Sequence, residues 1–324
     1  MKYLLYALKI TVTFIEGGDN VRIAVCGGTG FIGSALVSYW LEEGHEVIIV
    51  TRKIPTAGRE SSSPAPKYIT WEEIERSLEI MEGLDALVNL AGSSLNQRWT
   101  EKGKMRILNS RLRSVQAVTA LINKLQKKPG VIVQGSAVGI YGTSLSEEFD
   151  ENSPTFKQDF LSEVTLKWEH EAASMADPTV RMVTLRTGVV LGNQGGAYPL
   201  MRLPYLLGFG GRVGTGQQWM SWIHLKDIVR LIDYSVVNPA ITGPINAVSP
   251  SPVSNDEFGR TVAKVINRPY WFPLPALLLK SILGEQSTLL LDGQRVMPHK
   301  ALEQGFTYQF PTLLGALRDL KEHK

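Results

Sequence analysis

Gly27, Gly30 and Gly33 recur at three-residue intervals in the run Gly27-Gly28-Thr29-Gly30-Phe31-Ile32-Gly33. Glycine at this spacing permits a tight turn, close backbone approach to a pyrophosphate and close helix–strand packing. The phosphate then sits on free N–H groups at a helix N-terminus. The run follows an apolar strand-like segment and opens a helical pattern, the context such a motif requires. A purely structural turn is the plainer alternative. A P-loop is excluded, because Ser34-Ala35 follow Gly33 where Lys and Ser/Thr would be needed.

The next informative position is the end of the second strand-like run. A site for NAD would place Asp or Glu there to accept the ribose hydroxyls. This sequence has Thr51-Arg52-Lys53. A carboxylate would repel a 2′-phosphate, whereas a guanidinium binds it in bidentate fashion. The expected ligand is therefore NADP(H), with two solvated surface cations as the alternative.

The elements that position these residues are regular from Val21 onward. Short apolar runs at Arg22–Cys26, Glu46–Val50, Tyr68–Thr70, Asp85–Leu90, Val131–Gln134 and Met182–Leu185 alternate with amphipathic stretches. Strands apolar on both faces, separated by helices, imply a parallel sheet. Phe31–Glu43 has helical spacing closed by Gly44. Glu101–Gln126 predicts a long helix carrying Met105, Leu108, Leu112, Val115, Val118 and Leu121, and Gln158–Met175 another. This is the βαβ logic of an α/β, Rossmann-type doubly wound parallel sheet. The glycine- and proline-rich texture after Gly192 predicts a small C-terminal α/β lobe on the sheet's ligand edge. The expected division is an extension over 1–20, an NADP-binding domain over 21–248 with 193–224 contributing to the cleft, and the lobe over 249–324. Ser61–Pro66 is a polar loop.

Together these stretches resemble the short-chain dehydrogenase/reductase superfamily in its extended form. The likeness is closest to the atypical "epimerase family protein" group of YfcH-like NAD-dependent epimerases/dehydratases. It rests on Gly27–Gly33, Thr51-Arg52-Lys53, Ile69-Thr70-Trp71, Val88-Asn89-Leu90-Ala91-Gly92, Arg98-Trp99 and Ser110-Arg111. It continues through Lys167-Trp168-Glu169, Arg186–Gly192, Trp222-Ile223-His224 and Leu291–Val296 with Pro298. The resemblance spans residues 21–320 and implies a cofactor of the NADP type. It places Leu90, Ala91 and Gly92 against the adenine–ribose half, and Arg106 and Arg111 within reach of a phosphate. Arg186 would end a strand on the side where such sheets bind ligands.

The superfamily pairs a Ser at the end of the fifth strand with Tyr-x-x-x-Lys on the next helix, whose phenolate exchanges a proton during hydride transfer. Ser136 fits the first role and Lys167 the last, but Glu163 stands where the Tyr is expected. Three readings of this departure stay open. Glu163 and Lys167 form a plain i,i+4 ion pair, Tyr141 supplies a phenol from another strand end, or Glu163 acts as a buried base. Two functions follow: an NADP(H)-dependent oxidoreductase or epimerase acting on a small carbonyl or sugar-like molecule, or a non-catalytic NADP(H)-binding sensor or scaffold.

Other classes are set aside. A net charge of +3 over 324 residues does not argue for nucleic acid or an anionic surface. His45, His170, His224, His299 and His323 lack metal-ligand spacing, so no metal is expected. Ser136 lacks a Gly-x-Ser-x-Gly elbow. Trp219, Trp222 and Trp271 are expected in the core, and Asp227 as a helix cap. The lone Cys26 cannot form an internal disulfide and is expected buried, which suits a reducing compartment. Tyr3–Ile15 is too short for a membrane span and fits neither a signal peptide nor a transit peptide well. The expectation is a soluble cytoplasmic protein, with a mitochondrial placement as the alternative. A homodimer through the two long helices is compatible with the pattern.

Overall fold

Alternation of side chains sets up two apolar faces on every central strand. In β1 (Arg22–Cys26), Ile23 and Val25 turn to one face while Ala24 and Cys26 turn to the other. The computed structural model describes residues 20–55, 64–175 and 177–323, so the extension before Asn20 and residues 61–63 of the polar loop lie outside the described residues. After β1 come β2 (Glu46–Thr51), β3 (Lys67–Thr70), β4 (Ala86–Asn89), β5 (Val131–Ala137), β6 (Arg181–Thr187) and β7 (Gly243–Ala247). They form one seven-stranded sheet in the order β7-β6-β5-β4-β1-β2-β3. All six pairings are parallel. The order reverses between β1 and β4, which opens a ligand crevice at the strands' carboxyl ends.

Helices cover both faces. α1 (Phe31–Glu42) buries Leu36, Val37 and Trp40 on one face of the sheet. Gly44, at φ +87°, turns the chain back into β2. α2 (Trp71–Arg76) is a short helix with a capping box from Thr70 and Glu73. α3 (Glu101–Lys124) and α4 (Phe160–Ala173) cover the opposite face with Val115, Val118, Leu121 and Trp168. Met105 does not join that face. It lies roughly 200° around α3 from Ile107 and is 60% exposed.

The longer helices that follow are α5 (Tyr198–Leu206), α6 (Leu225–Val237), α7 (Asn255–Ile266), α8 (Ala276–Leu283) and α9 (Leu313–Glu322). α6 packs beside α1, and Trp40 Nε1 donates to Asp233 at 2.7 Å between them. A separate apolar cluster joins Tyr198, Tyr205, Trp222, Phe258, Leu313 and Leu317, making the core of the C-terminal elements.

Two further expectations change here. Trp271 is 62% exposed rather than in the core, because its segment Asn267–Pro275 runs along the surface, where the indole N–H donates to Gly208 O at 2.9 Å. Asp227 is not a cap for its own helix. It is fully buried and accepts the N–H groups of Gln309 and Phe310 at 2.7 and 2.8 Å, anchoring the C-terminal segment to α6. The cap is His224, whose Nδ1 accepts the Lys226 N–H at 3.1 Å. Cys26 is buried as expected, and burial pushes its thiol up to about 12.

Candidate functional site

β1 delivers the chain into the turn at Gly27, whose φ of +85° favours glycine. A Cβ at Gly27 would lie 2.9 Å from Ala91 N and Leu90 C, so the turn rests directly on the chain leaving β4. A Cβ at Gly33 would lie 2.2 Å from Gly27 O, where no side chain fits. Gly30 caps α1 without a side-chain hydrogen bond, which leaves the first-turn N–H groups of α1 free of any cap. Their partial positive charge faces the crevice. Phe31 is wrapped by a second glycine set: a Cβ at Gly192, Gly195 or Gly196 would stand 2.7 Å from its ring. Beside this turn a cleft of about 330 Å³ is lined by Thr29, Gly30, Phe31, Ser34, Gln194 and Leu225, among others.

β2 lies beside β1 in register, Cys26 opposite Val50, so Thr51-Arg52-Lys53 emerge next to the turn. Thr51 Oγ1 bonds the Lys53 backbone, accepting N–H at 3.4 Å and donating to O at 3.1 Å. Arg52 and Lys53 are exposed, and among the described residues neither side chain has a hydrogen bond or ion pair. On the other side, Asn89 ends β4. It donates to Gln134 at 2.9 Å and accepts from Ser114 at 2.7 Å, fixing the Leu90–Gly92 loop from below. Arg111 stacks over Trp168 at 5.1 Å and bonds the carbonyls of Ser93 and Ile107, with Gly92 packed against it. Burial brings its guanidinium down to about 10. Arg106 is exposed and bonds Gln97 at 3.2 Å.

At the ends of β5, β6 and β7, Ser136, Arg186 and Asn246 stand in one lateral register row. Ser136 Oγ donates to Glu169 Oε1 at 2.5 Å. Arg186 grips Glu169 with Nε and Nη2, both at 2.9 Å, and donates Nη1 to the Tyr141 oxygen at 2.8 Å. Tyr141 passes its own hydrogen to Asn246 Oδ1 at 2.8 Å. Burial opposes the Arg186 charge, but the Glu169 carboxylate outweighs it and keeps the guanidinium firmly protonated. Burial pushes the Tyr141 phenol up to about 12 despite the neighbouring Arg186. Arg186 and Tyr141 are thus committed to protein partners.

Glu163 and Lys167 lie elsewhere, on the open side of α4. Their ion pair spans 2.7 Å, and Lys157 adds a second contact at 2.9 Å. The Lys167 hydrogen bond, then that of Lys157, holds the Glu163 carboxyl down to about 2. Of the candidate residues for chemistry, the structure brings together Ser136 and Tyr141, through Glu169 and Arg186. It does not bring Glu163 and Lys167 into that network. Glu169 and Asn246 were not singled out by sequence reasoning. Glu169 stood inside Lys167-Trp168-Glu169, two residues after the expected Lys. Asn246 carried no signal, because its role depends on strand register.

A glycine turn on a helix N-terminus and a crevice at the reversal of strand order define a dinucleotide-binding Rossmann protein of the extended type. The chain belongs to the NAD dependent epimerase/dehydratase family, whose pattern matches residues 23–246. Residues 274–320 match a domain of unknown function, DUF1731. Epimerase family protein YfhF of Bacillus subtilis is 43% identical over 93% of this chain and 98% of its own. The human epimerase family protein SDR39U1 is 38% identical over 93% of this chain and 99% of its own. Its crystal structure with NADPH superposes with a TM-score of 0.85, covering 94% of this chain and all of that one. UDP-glucose 4-epimerase from Thermus thermophilus, at 17% identity, covers 94% of this chain and 98% of its own with a TM-score of 0.74, and shares the fold.

Proposed function

We propose that this chain binds NADP(H) and acts with it on a small carbonyl or sugar-like substrate, as an oxidoreductase or epimerase. One observation carries the reading: a glycine turn with no room for a Cβ at Gly27 or Gly33, beside two exposed cations that have no partner among the described residues. Gly27, Thr29, Gly30, Phe31, Ile32 and Gly33 would hold the pyrophosphate. Leu90, Ala91 and Gly92 would line the adenine–ribose half, and Thr51, Arg52 and Lys53 would hold the 2′-phosphate. Arg106 and Arg111 would lie within reach of a phosphate, Arg111 from its place against Gly92, and Arg186 would act from behind through Glu169. The NADPH in the human relative's crystal structure supports the choice of cofactor.

When bound, the nicotinamide supplies a hydride donor or acceptor. The chain's part is to handle the proton. With its hydrogen engaged by Glu169, Ser136 offers lone pairs, so it accepts a hydrogen bond from a substrate hydroxyl. Arg186 would hold Glu169 oriented for that purpose. Incubating the protein with NADPH and panels of carbonyls and nucleotide sugars tests this. Turnover that falls in Ser136→Ala is expected, and turnover unchanged by that substitution contradicts the role.

A second reading is a non-catalytic NADP(H) sensor or scaffold. It is favoured by the internal engagement of Tyr141, Glu163 and Lys167, which leaves no free phenol or base of the usual kind. NADPH that stays reduced with every substrate would select it. Among the described residues no helix is long and apolar enough to cross a membrane. A cytoplasmic placement is our reading, and the name of the Arabidopsis thaliana relative, 41% identical and chloroplastic, supports an organelle as the alternative. Fractionation of the tagged protein in its own cells separates them.

A further inference from the structure

The C-terminal elements carry an apolar surface that the cofactor reading does not use. Leu207 and Phe209 follow α5, Trp271 and Phe272 precede α8, and Leu277 and Ile282 lie on α8, all of them exposed. Trp271, Leu277 and Ile282 reach 62%, 78% and 70%. These residues form one surface. The N–H groups of Trp271 and Phe272 both donate to Gly210 O, at 2.9 and 3.1 Å, and the rings of Phe209 and Phe272 meet edge to face at 5.9 Å. Leu274 N donates to Arg212 O at 2.7 Å, and the chain then enters α8 directly. α8 buries Leu279 and leaves Leu277, Leu278 and Ile282 in solvent. Six large apolar side chains thus stand exposed on two joined loops and the helix that follows, and clustered exposure of this kind marks an interaction site.

Charge decides what such a surface fits. Residues 195–216 and 258–284, which build it, contain no Asp or Glu, while Arg202, Arg212, Lys264, Arg268 and Lys280 lie within them. Of the acids that border these stretches, Asp256 is paired with Arg260, Glu285 with Lys104, and Glu257 lies exposed in the first turn of α7. Asp292 lies exposed near Lys280 and offsets it, and the cations of these stretches still outnumber the bordering acids. A two-fold contact with a second copy would set these cations against themselves. A Trp/Phe/Leu surface rimmed by Lys and Arg is instead complementary to the interface of an anionic bilayer, where the rings enter the headgroup region and the cations meet phosphate. We propose that this face docks on anionic phospholipid membranes without spanning them.

Co-sedimentation of the full-length protein with phosphatidylcholine vesicles, with and without about 30% phosphatidylglycerol, tests the proposal. Binding is expected with the anionic vesicles, to weaken in high salt, and to fall about tenfold or more in both Leu277→Glu/Ile282→Glu and Arg212→Glu/Lys280→Glu. Thermal melts and NADPH affinity close to those of the parent protein establish that these surface variants are folded. Sedimentation without preference for anionic lipid overturns the proposal. So does binding that survives both double substitutions, since another part of the chain then carries it. A dimer in ultracentrifugation that Leu277→Glu/Ile282→Glu dissolves also overturns it, because a second copy then covers the face.

Discussion

Glu169 and Arg186 meet at two points, both 2.9 Å, although one lies on a helix and the other at the end of a central strand. The pair sits between Ser136 on one side and Tyr141 on the other, so it organises the floor of the crevice. Removing one partner leaves the other's charge poorly compensated in a largely buried place. Glu169→Ala is expected to lose about 3 kcal/mol of stability or more, read from urea denaturation. A replacement of both by apolar residues, Glu169→Leu/Arg186→Met, should recover most of that loss. Equal losses in the single and double variants would contradict this account.

Tyr141 is held by two hydrogen bonds and shielded from solvent, with its phenol pushed up. Tyr141→Phe should therefore cost about 1–3 kcal/mol of stability by leaving Asn246 and Arg186 short of a partner, while NADPH affinity stays within about twofold. Glu163→Gln, on an open ion pair, should change stability by only a few tenths of a kcal/mol. A Tyr141→Phe variant that keeps its stability and loses all turnover would make the phenol a catalytic group after all.

The glycines separate a steric demand from a purely conformational one. Gly33→Ala drives a Cβ to 2.2 Å from backbone at Gly27, and should abolish NADPH binding together with much of the stability. Gly44→Ala meets nothing within 4 Å and is strained only by its φ of +87°. It should cost about 1 kcal/mol and leave binding intact. Calorimetry on the two variants checks the contrast.

His224 gives the fold a dependence on pH. Burial, partly offset by Asp319 nearby, brings its imidazole down to about 4. Nδ1 accepts the Lys226 N–H, so the neutral ring carries its proton on Nε2, 3.3 Å from Asp319 Oδ2. An unfolded chain takes up the proton below about 6.5, whereas the folded one does so only below about 4. The unfolded state thus binds more protons in that window, and stability must fall as the pH drops through it. Above about pH 6.5 this group contributes no slope. His224→Asn keeps a capping oxygen and should flatten the window in denaturation midpoints taken at pH 7 and pH 5. An identical slope in the variant would assign the effect to other groups.

Much of this was legible in the residues because it is local. The strand runs, α1 and the turn at 27–33 follow from side-chain alternation and glycine spacing, and their helices and strands lie within a few residues of the expected limits. β5 runs on to Ala137, three residues past the apolar run, because polar Gln134 and Ser136 are satisfied by side chains of neighbouring elements. The Ser136–Glu169–Arg186–Tyr141–Asn246 network is not local. It needs the register of three strands and the placement of α4, none of which a one-dimensional pattern carries. Trp271 and the face around it escaped for a related reason. The net charge of +3 averages over the chain, while residues 195–216 and 258–284 carry cations and no Asp or Glu.

The central claim is that the cations after β2 choose the dinucleotide. Titration of the purified protein with NADPH and NADH, for the parent and for Arg52→Glu, tests it most directly. The parent should bind NADPH at least about tenfold more tightly than NADH, and Arg52→Glu should erase that preference by weakening NADPH alone. Equal affinities in the parent, unchanged by Arg52→Glu, would contradict the account.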